Sequence, residues 1–232
     1  MSKFEENNNN ELKKFDDIYY GLYINLDIRK DRKEYVETEL SKIGLDKTIK
    51  RFNAIKMANG AIGCSLSHLQ CLNIAKKEKL PYIWICEDDI TFLNPEVFKN
   101  QLDEFLRSSI EWDVILIAGN IIPPYTRIDG HCVKVKNCQT TTGYIVKAHY
   151  FDTLINNIKQ GIELLMKYPH KPNSYAIDKY WFHLQERDNW FLITPLTVSQ
   201  KQDYSNIEKR CINYDRVMLD LDKPYLTKVS NK

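Results

Sequence analysis

A five-residue apolar run, Tyr82-Ile83-Trp84-Ile85-Cys86, leads without a spacer into Glu87-Asp88-Asp89. The run is β-branched and aromatic, which predicts a buried central strand. Three adjacent carboxylates at the end of such a strand repel one another and are costly to bury without a cation beside them. A hard divalent ion such as Mn2+ or Mg2+ takes carboxylate oxygens together with substrate phosphates. In an open α/β sheet, ligands gather outside the carboxyl ends of the strands. This one segment therefore predicts both a layered α/β fold and a metal-assisted site for a phosphorylated ligand.

The rest of the chain agrees with that fold class. Residues 18–26 read as a strand and 27–44 as a helix ending at Gly44. A short strand follows near 49–55, and a glycine loop then enters a helix within 60–80. A helix over 94–109 is capped by Asn94 with Pro95 in its first turn. Strands are expected at 112–119, 133–138, 141–148 and from 189, with helices after 148 and over 176–186. Alternating strands and helices predict a mixed, mainly parallel sheet flanked by helices. The polar start, with four consecutive asparagines, predicts a disordered tail over 1–16, one domain over 17–215 and a C-terminal tail over 216–232.

Composition excludes several classes. With 232 residues, the chain is long enough to bury a core without disulfide staples. Thirty-three basic against 31 acidic residues leave a net charge of +2, which gives nucleic acid no electrostatic footprint. No run approaches the ~18 apolar residues of a membrane span. The six cysteines make no CxxC pair and no zinc pattern, so they read as buried thiols. The acidic, polar N-terminus lacks the apolar core of a signal peptide, and a cytoplasmic location is expected.

Three further stretches carry residue types suited to a phosphorylated ligand. INLDIRKDR places Asn25 and Asp27 at a strand end and Arg29 and Arg32 at a helix start, where guanidinium forks suit phosphate oxygens. GAIGCSLSH puts Gly60 and Gly63 before Ser65, Ser67 and His68. Glycine permits close backbone approach, and helix N-termini attract anions. In SYAIDKYW, Asp178 stands near a helix start beside Tyr180 and Trp181, as either a general base or a first-turn carboxylate.

Taken together, these segments resemble glycosyltransferase family 25, the lipopolysaccharide and collagen galactosyltransferase type. The resemblance runs over about residues 18–207: YINLDIRKDR, FNAIK, GAIGCSLSH, WICEDDI, TTGYIVKAHYFDTL, AIDKYW and PLTVSQKQDYSNI occur in the family's order. It implies a GT-A-like (Rossmann-like) fold and transfer of a hexose, galactose before glucose, from a UDP-sugar with Mn2+ or Mg2+. The hydroxyl acceptor would belong to a glycan or to hydroxylysine of a collagen-like protein. Asp89 and Glu87 would serve as metal ligands. Donor contacts would come from Asn25, Asp27, Arg29, Arg32, Ala54, Gly63, Ser67, His68, Glu87 and Asp88, and Asp178 would be the base of an inverting reaction. The C-terminal His that often completes the metal shell in such enzymes has no counterpart after His183, which leaves Gln200, Asp203 or diphosphate oxygens and water. The alternatives are a catalytically inactive carbohydrate- or nucleotide-sugar-binding protein on the same fold and a metal-dependent phosphodiesterase. The intact Glu87-Asp88-Asp89 run speaks against the first and the balanced charge against the second.

Overall fold

The structure is a computed structural model, and it describes residues 11–205, 210–212 and 214–227. The chain opens with β1 (Gly21–Asn25), α1 (Lys30–Lys42), β2 (Ile49–Asn53), α2 (Gly60–Lys77), β3 (Tyr82–Glu87), β4 (Ile90–Phe92), α3 (Pro95–Arg107) and β5 (Val114–Ile121). It continues with β6 (Thr126–Arg127), β7 (Cys132–Lys134), β8 (Cys138–Lys147), α4 (Phe151–Lys167), α5 (Pro172–Tyr175), α6 (Ile177–Tyr180) and α7 (Phe182–Arg187). The last elements are β9 (Trp190–Ile193), β10 (Val198–Gln200), β11 (Asp203–Ser205), β12 (Arg210–Ile212), α8 (Asp215–Met218) and α9 (Pro224–Thr227).

Eight strands form one sheet in the order β2-β1-β3-β8-β5-β9-β7-β6. β1 pairs parallel with both β2 and β3, and β5 pairs parallel with β9. β8 is inserted antiparallel between β3 and β5. Thus β2, β1, β3, β5 and β9 run one way, and the sheet is the mixed, mainly parallel one expected. β1 and the first five residues of β3 are buried throughout, as strands covered on both faces must be. Trp84, Trp181, Trp190 and Tyr144 are fully buried at the centre, and the Trp181 and Trp190 rings lie 5.1 Å apart.

Several boundaries differ from the sequence expectation. Packing begins before residue 17: Leu12 and Phe15 are buried, and the Phe15 N–H donates to Asp103 Oδ1 at 2.8 Å. Residues 1–10 of the expected N-terminal tail lie outside the described residues. Within the expected C-terminal tail, α8 and α9 form short turns and Met218 and Lys223 are buried, while residues 228–232 lie outside the described residues. The single helix expected over 176–186 is broken at Trp181 into α6 and α7. The Trp181 indole and the Gln185 amide, four residues apart and so on one helix face, both donate to the Cys138 carbonyl at 3.0 and 2.9 Å. No helix among the described residues is long and apolar enough to cross a membrane.

Candidate active site

Asn25 and Glu87 end the parallel neighbours β1 and β3, so the residues that follow them emerge at the same edge of the sheet. Asp88 is buried there and Asp89 half-buried. The Asn25 amide donates to Asp88 Oδ2 at 2.7 Å. Arg51 of β2 donates from Nε to Asn25 Oδ1 at 2.9 Å, which fixes the amide's orientation. From α1, the Arg32 guanidinium lies 3.0 Å from Asp88 Oδ1 and 3.4 Å from Asp89 Oδ2. Gln200 of β10 reaches Asp89 Oδ1 at 3.5 Å, and the Lys201 N–H donates to the Asp89 carbonyl at 2.7 Å.

The electrostatics of the two aspartates follow from this packing. Burial pushes Asp88 up, and Arg32 only partly opposes it. Asp89 is pushed up to about 8 by burial and then by the charge of Glu87, against the pull of Arg32. Among the described residues Arg32 is the guanidinium that meets these carboxylates, and burial with the charge of Glu87 outweighs its pull at Asp89.

Glu87 has a different set of partners. Its Oε1 accepts from the Thr141 hydroxyl at 2.5 Å and lies 3.4 Å from His68 Nε2 and 3.5 Å from Cys64 Sγ. His68 is fully buried, with Nδ1 3.1 Å from the Tyr144 hydroxyl and its ring stacked on Tyr144. Burial alone would raise the Glu87 carboxyl, but the hydrogen bond and charge of His68, then Thr141 and Cys64, bring it below the usual range. The family resemblance implies that Glu87 joins Asp89 as a metal ligand. The geometry gives Glu87 to α2 and β8, and gives Asp89 to Arg32 and Gln200, because the strand ends at Glu87 and the turn at Asp88 and Asp89 breaks the alternation that would have put residues two apart on one face.

Asp178 stands in the first turn of α6 and accepts from the Thr140 N–H at 3.2 Å, with Lys179 Nζ at 3.7 Å. Burial pushes its carboxyl up, Lys179 pulls it down, and the negative charge of Glu87 adds to the upward push. Thr140 has a φ of 76° in a stretch where β8 slips register against β5. A β-branched residue in the left-handed region is a genuine outlier, and this one aims its N–H at Asp178.

The glycine segment differs from expectation. Gly60 and Gly63 are already helical, and the side chain of Asn59 accepts from the Ala61 and Ile62 N–H groups at 3.0 and 3.4 Å. Those two N–H groups are thus capped from within the chain rather than presented as an anion cradle. A Cβ on Gly63 would lie 2.6 Å from the Ile55 carbonyl oxygen, so the glycine is required by close packing. The Ser67 hydroxyl accepts from the Ile55 N–H and donates to the Gly63 carbonyl, both at 2.8 Å. Ala54 donates its N–H to the Asn25 carbonyl at 3.0 Å. Asp27 is exposed and 3.3 Å from Arg51, while Arg29 pairs with Asp31 at 2.7 Å. Arg51, Cys64, Thr141 and Tyr144 belong to the cluster and escaped the sequence reading. Only the strand expected near 49–55, GAIGCSLSH and TTGY mark their neighbourhood.

The donor set at Asp88 and Asp89 suits a divalent cation. It is all oxygen, crowded and short of positive charge, with Gln200 adjacent. The side chain of Asp203 lies outside the described residues.

Comparison with known proteins bears on the same segments. The family model described as glycosyltransferase family 25 (LPS biosynthesis protein) matches residues 47–180, which include α2, the acidic turn, β8 and Asp178. No curated protein matches the chain. Among solved structures, a glycosyltransferase involved in glycosylation of the major capsid of PBCV-1 is 8% identical, covering 75% of this chain and 79% of that one, with a TM-score of 0.49. A Drosophila β-1,4-galactosyltransferase 7 variant with manganese, UDP-Gal and xylobiose is 13% identical, covering 92% and 79%, with a TM-score of 0.44. A197 from STIV is 12% identical, covering 83% and 93%, with a TM-score of 0.42. With its family match spanning more than half of its length, the chain belongs to glycosyltransferase family 25 and is a nucleotide-sugar glycosyltransferase.

Proposed function

We infer that this enzyme moves a hexose, galactose before glucose, from a UDP-sugar to a hydroxyl of a glycan or of hydroxylysine in a collagen-like protein, with inversion and with Mn2+ or Mg2+. The observation that carries this reading is the Asn25-Asp88-Arg32-Asp89 cluster at the carboxyl edge of β1 and β3. An under-neutralised carboxylate pair next to an arginine suits a metal–diphosphate better than it suits a neutral sugar.

The roles follow from position. Asp89 would hold the cation directly, with Asp88, Gln200 and donor oxygens beside it. The bound cation would supply positive charge to the diphosphate as it leaves. Arg32 touches both Asp88 and Asp89, and Arg29 stands beside it at the start of α1, where guanidinium groups would suit phosphate oxygens. Asn25 orients Asp88, and Arg51 orients Asn25. Glu87, set apart by its contacts to Thr141 and His68, would accept from donor-sugar hydroxyls.

Asp178 is the proposed base. The acceptor oxygen attacks the anomeric carbon from the face opposite the diphosphate, and its proton passes to the Asp178 carboxylate. The bond from the anomeric carbon to the diphosphate oxygen breaks, and its electron pair leaves with UDP. A raised carboxyl is a better proton acceptor at neutral pH than an ordinary aspartate.

UDP release from a panel of UDP-sugars, with Mn2+ and with EDTA, tests the reading. Release from one UDP-hexose that stops on chelation supports it. Absence of release from every donor, together with absence of UDP binding, sinks it in favour of an inactive binder.

A further inference from the structure

The Glu87 side of the site has a composition that donor binding does not require. Cys64 and His68 stand four residues apart on α2 and so share one helix face. Cys64 Sγ, one imidazole nitrogen of His68 and one Glu87 oxygen lie within 4.8 Å of one another. Tetrahedral zinc sets about 3.3 Å between nitrogen and oxygen ligands and about 3.5 Å between sulfur and oxygen, given bond lengths of about 2.0–2.1 and 2.3 Å. Here His68 Nε2 lies 3.4 Å and Cys64 Sγ 3.5 Å from Glu87 Oε1. Two ligand–ligand edges of a zinc site are therefore already formed.

The surroundings have the features of such a site. His68 Nδ1 is engaged by the Tyr144 hydroxyl at 3.1 Å, which fixes the ring and leaves Nε2 for an ion. Thr141 bonds Glu87, as an outer partner orients a ligating carboxylate. His68 is fully buried, but Cys64 is only half-buried and the Glu87 side chain is 22% exposed, so the cluster is open to solvent on their side. A thiol and an imidazole select a borderline-soft ion over Mn2+ or Mg2+.

We propose that Cys64, His68 and Glu87 form a second cation site, selective for zinc-class ions, whose occupation withdraws Glu87 from the donor sugar and inhibits transfer. Binding forms the sulfur–metal bond and releases the Cys64 thiol proton to water, with water as the fourth ligand. The inhibition rests on the donor role proposed for Glu87, whereas the binding stands on the geometry alone.

Cobalt(II) titration of the chelator-treated full chain tests the binding without any substrate. A thiolate-to-cobalt absorption band at one equivalent is expected, bleached by one equivalent of Zn2+ and unmoved by a hundredfold excess of Mg2+. It should persist in Asp89→Asn and vanish in Cys64→Ser and Cys64→Ala, with circular dichroism verifying folding. X-ray absorption at the zinc edge of wild-type protein should show one sulfur at about 2.3 Å, and this holds even if the variants fail to fold. Absence of the band in folded wild type, its survival without Cys64, or a zinc shell of nitrogen and oxygen alone would overturn the proposal. If cobalt binds but Zn2+ leaves UDP release unchanged, the site stands and the donor role of Glu87 falls.

Discussion

The Asn25 amide donates to Asp88 across 2.7 Å, joining the end of the first strand to the acidic turn 63 residues later in the chain. Asn25 is itself held by Arg51 through 2.9 Å, so three elements meet on one amide. Because Asn25 is almost wholly buried, both neighbours lose a partner when it is removed. Asn25→Ala is expected to cost about 1–3 kcal/mol of stability, read by urea unfolding, and to weaken UDP binding as well. Unchanged stability would show that the amide does not tie the turn to the strand.

Asp178→Asn keeps the Thr140 contact sterically possible but removes the carboxylate proposed as the proton acceptor. Donor binding is expected to stay within about twofold, while transfer falls about 10²–10⁴-fold. Transfer at a near wild-type rate would remove Asp178 from the reaction.

Gly63→Ala places a Cβ 2.6 Å from the Ile55 carbonyl oxygen and 3.3 Å from the Met57 nitrogen, both backbone atoms. A loss of about 1–3 kcal/mol is expected. Gly130→Ala meets nothing within 4 Å and serves as the control, with a change inside about 0.5 kcal/mol. Thermal melts of the two variants separate close packing from a general intolerance of alanine.

Asp103 anchors the segment before β1 by accepting from the Phe15 N–H at 2.8 Å and from Arg107 at 2.6 Å. Burial is the largest single influence and raises its carboxyl, but Arg107 and Phe15 together outweigh it and hold the group below the ordinary value. A carboxylate depressed on folding stabilises the fold above its unfolded pKa of about 3.9 and loses that contribution as pH falls through the folded value. Wild type should thus exceed Asp103→Asn in stability at pH 7, with the gap closing below about pH 4. A gap that is equal at pH 7 and pH 3 would contradict the assignment.

Much of this was legible in the sequence because the decisive signals are local. The run from Tyr82 to Asp89 announces a buried strand ending in carboxylates. Asn94 and Pro95 announce a helix start, and α3 begins at Pro95 with the Asn94 side chain as its cap. What was not legible depends on contacts between distant segments. Glu87 parts from Asp89 because Thr141 and Tyr144 arrive on β8, and nothing in the local sequence says that β8 lies antiparallel beside β3. Gly60 and Gly63 suggest an anion-binding turn before a helix until Asn59 caps the helix and Ile55 presses on Gly63. Cys64 reads as one buried thiol among several until His68 and Glu87 are placed against it.

Asp89 is proposed to hold the cation through which the diphosphate is bound. Calorimetry of UDP binding in Mn2+, in EDTA, and in Mn2+ with Asp89→Asn tests it most directly. Binding to wild type that requires Mn2+ and is lost in the variant is the predicted result. Equal UDP affinity in all three samples would contradict it.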